Sequence, residues 1–586
     1  MFKHLLSFLL IAVWIVPANA QELKGDSLLP GIAGLFATNG TSISLADVSG
    51  QPFKKAYQVS TLNYTGNDGF SLNYKIDAAV QKGDVLLLSF YTRSLQSKKE
   101  TGESFIEIFL NRIIDGKYTW PPLFERGMSF GSNWVLTQIP FVAARDVQKG
   151  ELNFVIKAGR FQQVFELGAI SLLNYKQSAK LADLPRSVVH YDGDAADAAW
   201  RKPAEDRIEK YRKGDLTIKV MDKNGKPAPG ATVTVRLKKI AYAWGTATNS
   251  TILLDKVNPA FKIYRDTLLK YFNKVVFENE MKSKNWAKSD HDQTKRAVNW
   301  LKANNMDIRG HVMVWPGWQN SPHLVQYKND TAALRAVILK IIDDQTTVMK
   351  HQFTEWDVVN EPFTNHNVMD SLGGKKLMLD WFHAARKNTP GVKLFLNDFT
   401  MFHTQGDGSQ NFYDNIKYLK DNGAPIEAIG EQAHIGGTPP GIGFLIEKLD
   451  RFAKFGLPIQ ITEFDITSDD DDFKSRYIKD FLTAMFSHPS TIGVVQWGFW
   501  EGSHWIPAAA LWDNNWNTRP EGKVYTELVS NTWNTNVTGQ TAKNGTYKIR
   551  GFNGDYEIVV KKGNNEVIKQ AVLGNDGKTL VVNFTN

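Results

Sequence analysis

Between residues 240 and 532 the chain alternates a short β-rich run with a helix-period stretch, and it does so eight times. The β-rich runs fall at 241–248, 272–278, 308–315, 356–361, 392–397, 427–434, 458–463 and 493–499. Helical apolar spacing fills the intervals, for example over 332–348 and 473–486. Apolar strands separated by helices imply a parallel sheet covered on its outer face. Eight such units close into an α/β fold, the (β/α)8 TIM barrel, whose chemistry sits at the C-terminal ends of its strands.

The ends of these runs are polar. The fourth reads Trp356-Asp357-Val358-Val359-Asn360-Glu361-Pro362 and the seventh Ile459-Gln460-Ile461-Thr462-Glu463-Phe464-Asp465. The others deliver Glu278, Asn279 and Lys282, His311 and Trp315, Asn397 and Asp398, Gln432 and His434, and Trp497 with Trp505 beyond it. A single glutamate in such a place can simply cap the helix that follows. A whole rim of amides, imidazoles, carboxylates and indoles has no such explanation. Two carboxylates on different strand ends are what acid/base plus nucleophilic chemistry on a glycosidic bond requires.

The flanks read differently. Residues 1–20 have a short basic start, an apolar stretch and Ala18-Asn19-Ala20, the pattern of a cleavable signal peptide. Its apolar stretch is too short to span a bilayer, so a secreted chain, extracellular or periplasmic and free of the membrane after cleavage, is expected. Residues 21–185 carry short alternating runs punctuated by Gly, Asn and Asp, the pattern of an antiparallel β-sandwich. Residues 186–213 are charged and are expected to be a linker. The β-runs in 214–238 are too few to stand alone. Together with the strand-and-turn segment 536–586 they would make one small discontinuous β-sandwich with the barrel, 240–532, inserted between them.

Composition excludes several classes. The chain has no cysteine, so disulfides, thiolate metal sites and thiol nucleophiles are absent. Its net charge of +8 is spread along the sequence with no basic run interleaved with aromatics, which argues against nucleic acid. No metal or cofactor is expected, since His366 and His403 have no ligand spacing. A monomer is expected.

The segments ENEMK, RGHVMVW, WDVVNEP, EQAHI, ITEFD and WGFWEGSHW, in this order, resemble glycoside hydrolase family 10, the retaining endo-β-1,4-xylanases. The resemblance covers roughly 240–530. It implies Glu361 as acid/base and Glu463 as nucleophile, with xylan as substrate. It further implies Asn360 on the sugar 2-hydroxyl, His434 on the nucleophile and Asp465 behind His434. Glu278, Asn279, Lys282, His311, Trp315, Gln432, Trp497 and Trp505 would line the glycone subsites. The acid/base role calls for a Glu361 whose proton affinity is raised by burial and by Glu463.

The chain departs from the family pattern at Pro316, at Glu501 and His504, and in the tail Asn397-Asp398-Phe399-Thr400. Residues 21–185 resemble the jelly-roll carbohydrate-binding modules found ahead of xylanase domains, with Tyr91, Tyr118, Trp120 and Trp134 as the implied platform. The small sandwich resembles transthyretin-like modules of secreted hydrolases. Related barrels that cleave β-1,4-glucan or mannan, and non-catalytic polysaccharide-binding proteins, are the alternative readings.

Overall fold

The computed structural model describes residues 24–38, 41–63, 70–97, 103–159, 162–288, 291–403, 407–436, 439–468 and 470–584. The expected signal segment, 1–20, lies outside them. Contacts group the chain into two units, the first drawn chiefly from residues up to Ser187 and the second chiefly from Val188 onward.

The first unit carries two antiparallel sheets. One orders the strands Ser42–Asp47, Lys55–Ser60, Gln163–Asn174, Val85–Ser97 and Val135–Val142, with Asp26–Ser27 on Gln163–Asn174. The other orders Phe36–Thr38, Ser71–Ile76, Leu152–Lys157, Ser104–Ile114 and Lys117–Phe130. Inward residues such as Val59, Leu86, Leu88, Phe154 and Leu167 are fully buried, the outcome of period-two alternation in a sandwich. Tyr118 is 67% exposed, whereas Tyr91 and Trp134 are half-buried against Phe53, with ring centroids 5.0 and 5.2 Å from it. The guanidinium of Arg93 lies 5.0 Å over the Trp134 ring and bonds Glu166 at 2.5 Å. The Trp120 side chain lies outside the described residues.

The second unit contains the barrel. Its strands are β1 (Ala243–Thr248), β2 (Lys274–Phe277), β3 (Asp307–Gly310), β4 (Glu355–Asn360), β5 (Lys393–Asp398), β6 (Ala428–Glu431), β7 (Ile459–Ile466) and β8 (Thr491–Gln496). All pairings are parallel, β1 bonds both β2 and β8, and β6 closes on β7 through Ile429 opposite Ile459. Every residue of β1, β2, β4, β6 and β7 is buried, as strands covered on both faces must be.

The expected third strand, 308–315, pairs in the ladder only to Gly310, after which Val314 keeps one bridge to Val359. The expected sixth strand breaks at Ala433, whose φ of 61° ends the ladder, and resumes at His434–Ile435.

Charged side chains fill the barrel axis. Lys274 Nζ bonds Glu355 Oε2 at 2.5 Å and Gln460 Oε1 at 3.1 Å, and Arg309 Nη1 reaches Glu355 Oε1 at 3.0 Å. Arg309 also pairs with Asp357, which takes His311 Nδ1 at 2.9 Å. Burial disfavours the Glu355 charge, but Lys274 and Arg309 outweigh it and pull that carboxyl down to about 2. Removing the acid would leave buried Lys274 without an anionic partner and take one of two carboxylates from Arg309. Glu355→Ala is therefore expected to lower barrel stability by about 3–5 kcal/mol, read by denaturant unfolding. An unchanged midpoint would show that the ion cluster holds nothing.

Two further elements complete this unit. Residues 213–240 and 536–583 pair strand to strand. Lys213–Met221 lies between Thr546–Phe552 and Lys578–Asn583, while Thr232–Ile240 lies between Asn536–Gln540 and Gly554–Lys562, with Asn565–Leu573 at the edge. The early segment brings Leu216, Ile218, Val233 and Val235 and the late one Tyr556, Ile558, Val560 and Val582 to a common core. Neither half has enough apolar faces alone.

The stretch 186–213, expected as a linker, is instead packed structure. It holds the helix Arg201–Tyr211, which buries Ala204 and Ile208, and Arg201 clasps Asp480 with bonds of 2.6 and 2.7 Å. Arg201 shares the inward face with Ala204 and Ile208, while Lys202, Glu205, Asp206, Glu209 and Lys210 are exposed, so the segment docks rather than spans.

Candidate active site

The site is built where the barrel strands end. Directly after β4, Glu361 takes a left-handed φ of 53°, a conformation costly for a side chain with a Cβ. It is held there because Glu361 N donates to Asn397 O at 2.9 Å and Asn365 N donates to Glu361 O at 3.0 Å. On β7, Glu463 N donates to Gln432 O at 3.0 Å. Both glutamates are buried, at 7% and 5% exposure.

A short chain of amides joins the two carboxylates. Asn360 Nδ2 donates to Glu361 Oε1 at 3.1 Å, and Asn397 Nδ2 donates both to Asn360 Oδ1 at 2.8 Å and to Glu463 Oε1 at 2.9 Å. Gln432 Nε2 adds a bond to Glu361 Oε1 at 2.8 Å, and Trp315 Nε1 bonds Glu361 Oε2 at 3.0 Å. Thr462 Oγ1 fixes the Asn397 carboxamide from behind at 2.7 Å. A Cβ at Gly430 would lie 2.3 Å from Asn397 Oδ1, so a larger residue there would push this carboxamide off its bonds.

The surroundings of Glu463 are cationic. His434 Nδ1 bonds Asp465 Oδ1 at 2.9 Å, and its Nε2 faces Glu463 Oε2 at 3.7 Å, an ion-pair distance. Burial opposes the His434 charge, yet Asp465 and Glu463 carry its pKa well above the ordinary 6.5. Burial likewise opposes the Glu463 charge, but His311, His434 and Lys282 outweigh it and hold the carboxyl below its usual 4.5. Glu463 is thus ionised at neutral pH. Desolvation pushes half-buried Glu278 up, with Lys282 opposing, and pushes Lys282 down against the pull of Glu463 and Glu278.

The remaining expected residues converge on the same mouth. Lys282 Nζ bonds exposed Asn279 Oδ1 at 3.2 Å and lies 5.5 Å over the Trp315 ring. His311 meets Trp497 edge to face at 5.3 Å. Trp505, 43% exposed, donates Nε1 to Asp465 Oδ2 at 2.7 Å, with its ring 4.9 Å from His434. Among the described residues, no group of three or more His, Cys, Asp or Glu side chains is arranged to hold a metal ion.

Sequence reasoning placed Asn397 on the rim without giving it a role, and it missed two members. Asp357, which orients His311, is a buried carboxylate inside a strand, itself a signal. Asn365, which bonds Glu361 Oε2 at 2.8 Å, sits in a loop and has no sequence signature.

The departures from the family pattern also find places. Glu501 pairs with Arg519 at 2.9 Å, and Pro316 O accepts from Val368 N at 2.9 Å. Burial pushes His504 down to about 4 and Asp398 up to about 7, the latter against the Phe399 and Phe363 amides it accepts.

A closed parallel barrel that presents two hydrogen-bonded glutamates at its mouth defines a carboxylate-pair site of the kind hydrolytic barrels carry. The model of glycosyl hydrolase family 10 matches residues 235–529, half of the chain, and the chain belongs to that family. Among curated proteins it is 29% identical over 369 residues to anti-sigma-I factor RsgI6 of Acetivibrio thermocellus, covering 62% of this chain and 46% of that protein. It is 28% identical over 379 residues to endo-1,4-beta-xylanase 1 of Arabidopsis thaliana, covering 62% of this chain and 38% of that one. The chain therefore spans less than half the length of these two relatives. Among solved structures, native xylanase 10B from Thermotoga maritima aligns with 23% identity and a TM-score of 0.46, over 50% of this chain and 96% of that one.

Proposed function

We propose that this chain is an endo-1,4-β-xylanase that cleaves internal β-1,4-xylosidic bonds by double displacement. The observation that carries the reading is the Asn360–Asn397 amide bridge between Glu361 and Glu463, which fixes two carboxylates of different environment at one mouth. Ionised Glu463 attacks the anomeric carbon while Glu361 gives its proton to the departing glycosidic oxygen, leaving a glycosyl ester. Glu361, now a carboxylate, takes a proton from water, which attacks the same carbon and frees Glu463. Loss of the Glu463 charge in the ester is what lets one residue serve as acid and then as base.

Exposed Trp505 offers an indole face for the apolar side of a pyranose ring, and Lys282, Asn279 and Glu278 offer hydrogen-bonding partners to its hydroxyls. Export through residues 1–20 and carbohydrate binding by the first unit are parts of the same reading. Incubation with xylan and with carboxymethyl-cellulose tests it: release of xylo-oligosaccharides from xylan alone is expected. Hydrolysis of the glucan alone would assign the site to another β-1,4-glycan.

A pH prediction follows from the electrostatics. Glu463 must be ionised to attack, and its pKa is held below 4.5, so activity is lost only as pH falls beneath that value. The acid limb of kcat/KM on a soluble xylo-oligosaccharide is expected below pH 4.5. A limb at higher pH would show that the surrounding cations do not act on the nucleophile.

A further inference from the structure

We propose that Asn365 is a positioning residue for Glu361 and sets the pH at which the acid/base loses its proton; this rests on the acid/base role given to Glu361 above. Asn365 is buried at 5% exposure, and its carboxamide is engaged by protein groups on both sides. Its Nδ2 donates to Glu361 Oε2 at 2.8 Å, the oxygen that also takes Trp315 Nε1 at 3.0 Å.

The orientation of the Asn365 carboxamide is dictated by chemistry. Once Glu361 is ionised its oxygens only accept, so the NH2 group then faces Glu361 and Oδ1 faces away. On that far side Oδ1 accepts from Gln319 Nε2 at 3.0 Å and from Asn320 Nδ2 at 2.6 Å. Space is equally constrained, because a Cβ on Gly317 would lie 2.8 Å from Asn365 Oδ1. The loop beyond β3 and the loop beyond β4 are further laced by Val368 N on Pro316 O and by Asn367 Oδ1 on Trp318 N. A relay of amides thus runs from the 317–320 loop through Asn365 to the oxygen of Glu361.

A donor on a carboxylate favours its charged form, so Asn365 makes the Glu361 proton easier to lose. The charged and titratable groups on neighbouring elements are Lys282 beyond β2, His311 beyond β3, Asp398 on β5, His434 beyond β6 and Glu463 on β7. None of them bonds Asn365, and a substitution at 365 leaves their direct bonds in place. The relay therefore acts on the alkaline limb, where the acid/base ionises, and leaves the acid limb to Glu463.

The test is the pH profile of kcat/KM for xylo-oligosaccharide hydrolysis by the full chain and by Asn365→Ala and Asn365→Asp. Removal of one charge-assisted donor is expected to move the alkaline limb of Asn365→Ala upward by about one pH unit. Asn365→Asp keeps the shape and the Gln319 and Asn320 bonds but sets a second acid against Glu361, so its limb should move at least as far. The acid limb should stay put in both. Should Asn365→Ala fail to fold, the near-isosteric aspartate variant carries the test. Uniformly lower activity with an unmoved alkaline limb would overturn the proposal, leaving Asn365 a structural residue. A wild-type chain inactive on every β-1,4-glycan would instead overturn the acid/base reading itself.

Discussion

Glu463→Ala is expected to lower kcat on xylan by about 10⁵-fold, because it removes the atom that bonds to the sugar and nothing nearby can replace it. The neighbours of Glu463 are amide donors or cations: Asn397 Nδ2 bonds its Oε1, and His434, His311 and Lys282 surround it. None of these can attack an anomeric carbon and leave again. The fold should survive, since the barrel ladder is held by backbone bonds and the charged axis from Lys274 to Asp357 does not pass through position 463. Binding of xylo-oligosaccharides should persist. The measurement is initial rate on xylan beside the far-UV circular dichroism and oligosaccharide affinity of the same sample. A folded variant that still turns over at the wild-type rate would remove Glu463 from the mechanism.

Glu361→Ala should behave differently, and the difference identifies the role. Loss of the general acid is expected to slow xylan cleavage by about 10³-fold, since the departing sugar alkoxide is a poor leaving group without a proton. An aryl xylobioside with a strongly acidic phenol needs no such help. With that substrate the first displacement should stay fast and the ester, deprived of its base, should accumulate. A burst of phenolate followed by a slow steady state is the expected trace. Azide, an anionic nucleophile that needs no base, should speed the slow phase. Equal losses on xylan and on the activated substrate, with no burst, would mean that Glu361 is not the proton donor.

These expectations join residues far apart in the chain, and they were not equally legible in it. The barrel was readable because most strand residues are apolar and buried while the helices keep their own period, so local pattern and global fold agree. The strand boundaries were less so. The ladder beyond Gly310 and across Ala433 gives way to backbone turns that depend on neighbouring strands. The 186–213 segment was misjudged for a related reason. Its charge count reads as solvated chain, but Arg201 is spent on Asp480, a partner 279 residues away.

By itself, the sequence determined that a parallel barrel would form and that polar groups would gather on one rim, since both follow from the period of apolar residues and from what ends each strand. Only the tertiary structure decided how those groups are wired. The bridge from Glu463 through Asn397 and Asn360 to Glu361, the clasp of Asn365 on the same carboxylate, and the pairing of strands from either side of the barrel into one sandwich all join side chains or strands distant along the chain. Hydrogen bonds depend on angstrom-scale distance and direction. Those are set by packing, and no spacing along the chain encodes them.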